Sequence, residues 1–192
     1  RVQTECIVQN ADSITFVLHQ GDITDHNNDE QWQNAVAALS VMDGKVPYTF
    51  VPGNHDLGPG GSASNRDAEL LNNYLPYDRY SEMEYFGGAF EKGRMENTYH
   101  TFRAGGLDWL ILSLEFGTRN KILEWAGEVI ESHPRHKIII NTHDYMYSDD
   151  TRMSIHRNHS WVPQRYGVGE DTGEESVNDG EMMWDKLISQ YP

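Results

Sequence analysis

The chain has 192 residues, of which 38% are hydrophobic and 11% are aromatic. This composition is typical of a globular protein and supplies enough apolar material for one domain with its own core. Fifteen basic residues stand against 30 acidic residues, so the formal net charge is −15. Such a charge argues against nucleic-acid binding through a broad basic surface, because phosphate neutralisation needs Lys and Arg. We interpret the acidity as a source of solubility or as an adaptation to a saline habitat.

The first half of the chain alternates between helical and strand patterns. A helix is predicted over residues 1–11 and a strand over residues 13–19. A second helix is predicted over residues 29–42, with Asn28 or Asp29 as its N-cap, and a second strand follows over residues 46–51. We expect the two strands to be parallel, with a right-handed crossover.

The second half of the chain also contains both helical and strand patterns. The patterns predict helices over residues 65–75, 118–132 and 177–189, and strands over residues 97–103, 107–114 and 137–141. Residues 77–93 are rich in aromatic side chains and are predicted to be irregular, with a turn at Gly87-Gly88. Residues 149–180 show no period and are predicted to form a long loop of the kind that often carries function.

Cys6 is the only cysteine, which excludes an internal disulfide, and we predict that it is buried in the first helix. No apolar run approaches the length of a membrane span, and no signal peptide is recognisable. The chain begins at Arg1 without a Met and ends at Pro192 after a helical pattern, so we interpret it as an internal fragment. The compartment is left open, with a secreted or periplasmic location as one option.

Three of the predicted strands end in a cluster of Asp, Asn and His. The clusters are Gly21-Asp22-Ile23-Thr24-Asp25, Gly53-Asn54-His55-Asp56 and Asn141-Thr142-His143-Asp144. In open α/β sheets, ligands bind at the carboxyl ends of the strands. Oxygen donors and imidazole suit divalent metals such as Mn, Fe and Zn. The pattern therefore predicts a metal site at this edge.

These clusters resemble motifs of the calcineurin-like metallophosphoesterases. That family's ordered motifs are D-x-H, G-D-x-x-D, G-N-H-[DE], a lone His after a strand, and G-H-x-H. The middle three are present, at Gly21 to Asp25, Gly53 to Asp56 and His143, over roughly residues 13–144. No D-x-H precedes Asp22, and no Gly-His pair occurs anywhere. The resemblance implies a four-layer α/β/β/α sandwich with two mixed sheets, and we expect residues 1–192 to form a single domain of this kind, truncated at both ends.

The resemblance also implies a centre of two divalent metal ions, with Mn, Fe or Zn as the candidates. It implies that Asp22 bridges both ions and that Asn54 and His143 bind the second ion. An ordinary turn aspartate, a turn asparagine and a hydrogen-bonded loop histidine are the alternatives for these three residues. The missing G-H-x-H motif would supply further ligands.

Catalytic roles are implied for His55 and Asp25. His55 would face the phosphate and help to protonate the leaving oxygen, and the carboxylate of Asp25 would hydrogen-bond to this ring. An N-cap of the following helix is the alternative for Asp25. His26 is a candidate for contact with the phosphate, and plain solvation explains it equally well. His156 and His159 have an H-x-x-H spacing, which we interpret as a surface or substrate-side loop.

The implied function is metal-dependent hydrolysis of a phosphomonoester or phosphodiester by a metal-activated water. The partner would be a small-molecule or macromolecular phosphate ester, and the acidic charge does not exclude it, because bound cations reverse the local field. A degenerate or truncated module that binds without catalysis is the alternative, and the chain alone is expected to be inactive or nearly so. A third hypothesis makes the domain one module of a larger extracellular protein. The sequence does not indicate an oligomeric state.

Overall fold

The structure is a computed structural model, and it describes residues 1–191. The helices are α1 (Val2–Gln9), α2 (Asp29–Leu39), α3 (Glu69–Tyr74), α4 (Tyr77–Ser81), α5 (Asn120–Ser132) and α6 (Gly180–Lys186). The strands are β1 (Val17–His19), β2 (Tyr48–Phe50), β3 (Phe86–Ala89), β4 (Thr98–Ala104), β5 (Leu107–Ser113) and β6 (Lys137–Asn141). Short 3-10 turns interrupt the loops, including Asn54–Asp56 and several between α5 and α6.

The strands form two sheets. Strands β1 and β2 pair in parallel, as predicted, with Val17 opposite Tyr48 and His19 opposite Phe50. The other sheet has the order β3-β4-β5-β6, in which β5 and β6 are parallel and the remaining pairs are antiparallel. The side chain of Asn141 donates a hydrogen bond to the carbonyl of His19 (3.2 Å). The carboxyl ends of β1 and β6 therefore meet across the two sheets.

Alternation along β2 shows how the layers stack. Tyr48 and Phe50 face a core that includes side chains of α2 and α3, whereas the Oγ1 of Thr49 contacts His100 Nε2 (2.7 Å) and Ser113 Oγ (3.0 Å) in the other sheet. A second core packs β5 against α5 and α6. Its buried members include Leu110, Leu112, Ile122, Ala126, Ile130 and Met183.

This arrangement is the predicted α/β/β/α sandwich. Helices cover the outer face of each sheet, and the two sheets face each other through the layer that contains Thr49 and His100. The β1-β2 sheet is purely parallel, and the four-stranded sheet is mixed. Among residues 1–191, no helix has the length and apolar character needed to cross a membrane.

The strand β1 is shorter than predicted. Residues Ala11–Ser13 form a 3-10 turn, and the pairing with β2 begins only at Val17. The N–H of Val17 donates to the carbonyl of Pro47 (2.9 Å). Proline has no N–H with which to continue the ladder, so the parallel pairing ends there.

The segment predicted to be irregular, residues 77–93, contains α4 and the edge strand β3. Gly87 and Gly88 lie within β3 and do not form a turn. A side chain at Gly87 would overlap the ring of Tyr99 on the neighbouring strand. The glycines therefore permit close packing of β3 on β4 at an irregular point of the ladder.

Two further predictions need correction. Cys6 is exposed, because Thr4, Ile7 and Val8 are the residues of α1 that turn inward. The last helix begins at Gly180, where the Asp179 side chain caps it by accepting from the N–H of Met182 (3.0 Å).

Candidate functional site

The loops that follow β1, β2 and β6 meet at one cavity of about 300 Å³, which we call the site cavity. Asp22, Asn54, His55 and His143 all line it, so the structure brings together residues from the three motif clusters. The remaining lining residues are Phe116, Asp144, Met153, Trp161 and Tyr166. Parallel strands place their carboxyl ends at one edge, which explains this convergence.

Asp22 and His143 form the polar centre of the cavity. The Oδ2 of Asp22 lies 3.4 Å from the Nε2 of His143. The Nδ1 of His143 donates to the carbonyl of Gln20 (2.6 Å), which fixes the ring so that Nε2 faces the carboxylate. Such a second hydrogen bond is the usual support of a metal-binding histidine.

The electrostatics of this pair follow from its partial burial. Burial alone would lower the pKa of His143, but the hydrogen bond and the charge of Asp22 outweigh it and raise that pKa to about 9. Burial acts to raise the pKa of Asp22, and the hydrogen bond and charge of His143 overcome this and lower it. The two groups therefore form an ion pair that a cation would have to open, with loss of a proton.

The backbone around Asp22 is unusual. Asp22 has φ of 50° and Gly21 has φ of 88°, both in the left-handed region that L side chains rarely adopt. A side chain on Gly53 would overlap the carboxylate of Asp22, and one on Gly21 would approach the main-chain N of Gly53 to 2.7 Å. Glycine at these positions therefore lets the two loops touch, and backbone strain of this kind is typical of functional sites.

Asp56 joins the same two loops. It is fully buried, and its carboxylate accepts hydrogen bonds from the N–H groups of Ile23 (2.9 Å), Thr24 (2.7 Å) and Gly53 (2.9 Å). It also accepts from the Thr24 hydroxyl (2.9 Å). Asp56 therefore holds the loops after β1 and β2 together.

His55 lies at the wall of the site cavity. Its N–H donates to Asp22 Oδ1 (3.1 Å), and its ring Nδ1 donates to the main-chain carbonyl of Asp25 (2.7 Å). The carboxylate of Asp25 lies 3.6 Å from the same nitrogen, too far for a hydrogen bond. The predicted hydrogen bond between the Asp25 carboxylate and this ring is therefore not present, and the main-chain carbonyl of Asp25 holds the ring instead.

The alternative for Asp25 is wrong, because the N-cap of α2 is Asn28, whose side chain accepts from Gln31 N (3.0 Å). His26 does not line the site cavity. Its Nε2 lies 3.3 Å from the Asp25 carboxylate, and both side chains are exposed. The candidate phosphate contact thus lies outside the site cavity.

The donors in the site cavity meet part of what a divalent cation needs. Asp22 offers a carboxylate, Asn54 an amide oxygen and His143 an imidazole, and these ligand types suit Mn, Fe or Zn. Across residues 1–191, no group of three or more His, Cys, Asp and Glu side chains is arranged to hold a metal ion. The donors fit part of one coordination shell. His159, from the H-x-x-H pair, packs instead against the ring of Tyr147 at 3.8 Å.

The pattern search missed the aromatic residues of the site cavity. Trp161 and Tyr166 come from the long loop, where no hydrophobic period exists to place them. Phe116 follows β5 directly and stands at the same edge of the sheets as the motif clusters. The rule that ligands bind at strand ends could have indicated Phe116, but nothing in the local pattern indicated the other two.

The chain was compared with known proteins. Residues 4–179 match the family model of the calcineurin-like phosphoesterases. The uncharacterised protein YvnB of Bacillus subtilis (strain 168) is 30% identical over 157 residues, which is 80% of this chain and 12% of that protein. The chain thus spans about one eighth of the length of this relative.

A purple acid phosphatase, PPD1 from yellow lupin (Lupinus luteus) seeds, matches with 18% identity and a TM-score of 0.47. The match covers 71% of this chain and 24% of the lupin chain. The family match, in contrast, extends over nearly the whole sequence and contains all three motif clusters. The chain belongs to the calcineurin-like phosphoesterase family.

Proposed function

We propose that the protein is a metal-dependent hydrolase of phosphate esters and that Asp22, Asn54 and His143 hold a metal ion at its centre. The observation that carries the proposal is the pairing of Asp22 with His143, whose ring is oriented by the carbonyl of Gln20. Membership of the family supports phosphoester hydrolysis as the general activity.

The proposed centre would take two divalent ions, held in part by Asp22, Asn54 and His143. The carboxylate of Asp22 has two oxygens, and Oδ1 receives the N–H of His55 while Oδ2 faces His143. Divalent cations, when bound, neutralise the charge of a phosphate ester and lower the pKa of water so that it becomes a nucleophile at neutral pH. The chain's own contribution is to hold the ligands and to orient the ester in a cavity of about 300 Å³.

His55 is proposed as the general acid. Its Nδ1 is engaged by the carbonyl of Asp25, so Nε2 is the nitrogen left to give a proton to the leaving oxygen. His55 lines the site cavity together with Asp22, which supports a role for it beside a bound phosphoryl group. Asp25 acts here as a positioning residue that fixes the imidazole.

The test is hydrolysis of 4-nitrophenyl phosphate and bis(4-nitrophenyl) phosphate after removal of metals and addition of Mn²⁺, Fe²⁺ or Zn²⁺. The ratio of the two rates distinguishes a monoesterase from a diesterase. We expect His55→Ala to lower kcat by about 100-fold, as loss of a general acid does, while the metal content stays unchanged. Asp108→Asn, an exposed carboxylate on the β4-β5 hairpin, serves as the matched control. Loss of metal from His55→Ala would contradict the role given to this residue.

A second candidate is a module that binds phosphate esters without hydrolysing them. The small number of convergent donors within the described part of the chain favours it. It predicts that the protein binds inorganic phosphate in the presence of Mn²⁺ but releases no nitrophenol from either ester. Metal-dependent turnover that is lost in Asp22→Asn would exclude this candidate.

A further inference from the structure

Trp161 is a large apolar side chain left exposed at the site cavity. Its exposed fraction is 60%, whereas its neighbours His159 and Val162 are buried, at 5% and 0% exposure. It lines the same cavity as Asp22 and His143. An indole exposed at a polar site is unusual, because aromatic side chains contribute most to stability when they are buried. Its exposure at this point therefore needs an explanation in terms of what the cavity binds.

The surrounding loop holds Trp161 in place. The ring of Tyr147 lies 5.8 Å from the indole and is itself stacked on His159 at 3.8 Å, with an angle of 8° between the planes. The N–H of Ser160 donates to the Tyr147 hydroxyl (3.4 Å), and Arg165 Nε donates to the carbonyl of His159 (3.0 Å). These bonds hold the main chain just before Trp161, and the indole lies beside the ring of Tyr147, which reduces the entropy that a ligand must remove.

A second aromatic group, Phe116 with Tyr166, also lines the site cavity. The ring of Tyr166 meets that of Phe116 edge to face at 5.1 Å and 85°, and Phe116 lies 5.9 Å from the ring of His143. The lining of the site cavity therefore combines polar residues, namely Asp22, Asn54 and the histidines, with aromatic residues that include Trp161 and Tyr166. A ligand that contacts the polar and the aromatic residues together must have an anionic group joined to an aromatic ring.

We propose that Trp161 is a specificity-determining residue that stacks on the aromatic leaving group of an aryl phosphate. The inference rests on the proposed phosphoesterase function and names its substrate class. A cavity of about 300 Å³ lies at the small end of ligand sites, so it takes a phosphoryl group and one ring. The aryl group is either a small molecule or the phosphorylated tyrosine of a polypeptide.

The test compares phenylphosphonate with methylphosphonate, two non-hydrolysable anions, by calorimetric titration of the Mn²⁺-loaded protein. We expect wild type to bind the phenyl compound about 3- to 10-fold more tightly, the gain typical of one aromatic pair. Trp161→Ala should remove this preference and leave methylphosphonate binding unchanged, and Trp161→Phe should retain part of it. Trp184→Ala, an exposed tryptophan on α6 that packs on Arg152, is the control and should keep the preference.

The outcomes separate this inference from the proposed function. Equal binding of the two phosphonates to wild type, or an unchanged preference in Trp161→Ala, overturns the role of Trp161 and leaves the phosphoesterase proposal intact. Failure of both anions to bind in the presence of Mn²⁺ overturns both proposals. A short peptide that carries a phosphonate analogue of phosphotyrosine identifies the source of the aryl group. Binding at least as tight as phenylphosphonate supports a polypeptide substrate, and weaker binding supports a small aryl ester.

Discussion

At the scale of single residues, the site depends on the contact between Asp22 and the main chain at Gly53. The carboxylate of Asp22 occupies the space that a side chain at Gly53 would need. The same carboxylate accepts the N–H of His55, two residues further on. The position of the central candidate ligand is therefore set by the neighbouring loop as well as by its own backbone.

Gly53→Ala tests this dependence. The new methyl group would overlap Asp22 Oδ1 and displace the carboxylate, so we expect Mn²⁺ affinity to fall by about 10-fold or more, as for a disturbed ligand orientation. The measurement is calorimetric titration with Mn²⁺. Gly44→Ala is the matched control, because Gly44 also has a positive φ (66°) but has open space around it. That variant should lose about 1 kcal/mol of stability through backbone strain and should keep its Mn²⁺ affinity. Equal losses of affinity in the two variants would contradict the steric argument.

Residue patterns predicted much of the site. The remainder could not be predicted, and the reason is physical. Strand-end clusters predicted that Asp22, Asn54, His55 and His143 would share one edge, and the structure places all four in one cavity. The bond from His55 to the carbonyl of Asp25 was not predictable, because it depends on loop dihedral angles that side-chain identity does not determine. The roles of these residues in binding and catalysis stay predictions.

At the scale of elements, a buried charged network fastens the start of α5 to the sheet. Glu115 is almost fully buried just after β5, and Arg119 Nε (2.6 Å) and Asn97 Nδ2 (2.9 Å) both contact its carboxylate. Arg66 NH1 lies 3.4 Å from the same carboxylate. Buried charges of this kind are costly to leave unpaired.

Glu115→Ala is therefore expected to lower the free energy of unfolding by about 2 kcal/mol, because two guanidinium groups lose their buried partner. Each keeps a more exposed carboxylate, Asp171 for Arg66 and Glu175 for Arg119. Urea denaturation followed by circular dichroism measures the change. Glu5→Ala breaks an exposed pair with Arg1 and is the control, with an expected change below about 0.5 kcal/mol. Similar losses of unfolding free energy in Glu115→Ala and Glu5→Ala would show that the network adds nothing to stability.

Some helices and strands were predicted more accurately than others. The amphipathic helices α2 and α5 and the β4-β5 hairpin were predicted within a few residues, because each carries a clear period or a turn signal. The strand β3 was missed because its sequence, Phe86-Gly-Gly-Ala89, has little strand propensity. It forms because it packs on Tyr99 of β4, a tertiary contact that local patterns do not contain.

At the scale of the whole molecule, His100 lies in the layer between the two sheets. Its Nε2 contacts the hydroxyls of Thr49 (2.7 Å) and Thr98 (3.0 Å). Complete burial lowers the pKa of this imidazole from 6.5 to about 3, because the charged form has lost its hydration. Protonation of His100 therefore opposes the packing of one sheet on the other.

The sign of the resulting pH dependence follows from linkage. Between pH 6.5 and about 3 the unfolded chain binds a proton at His100 and the folded chain does not, so this contribution to stability is present above pH 6.5 and is lost as the pH falls. The loss should approach 1.4 kcal/mol for each pH unit. Urea denaturation at several pH values measures it, and His100→Gln should show a smaller slope. Identical slopes in the two proteins would contradict the assignment to His100.

The central claim is that Asp22, Asn54 and His143 hold a metal ion in a phosphoesterase site. The most direct measurement is calorimetric titration of the metal-free protein with Mn²⁺, for wild type, Asp22→Asn and the exposed control Asp108→Asn. We expect wild type and the control to bind Mn²⁺, and we expect an affinity at least about 10-fold weaker in Asp22→Asn. Unchanged Mn²⁺ affinity in Asp22→Asn would contradict the central claim.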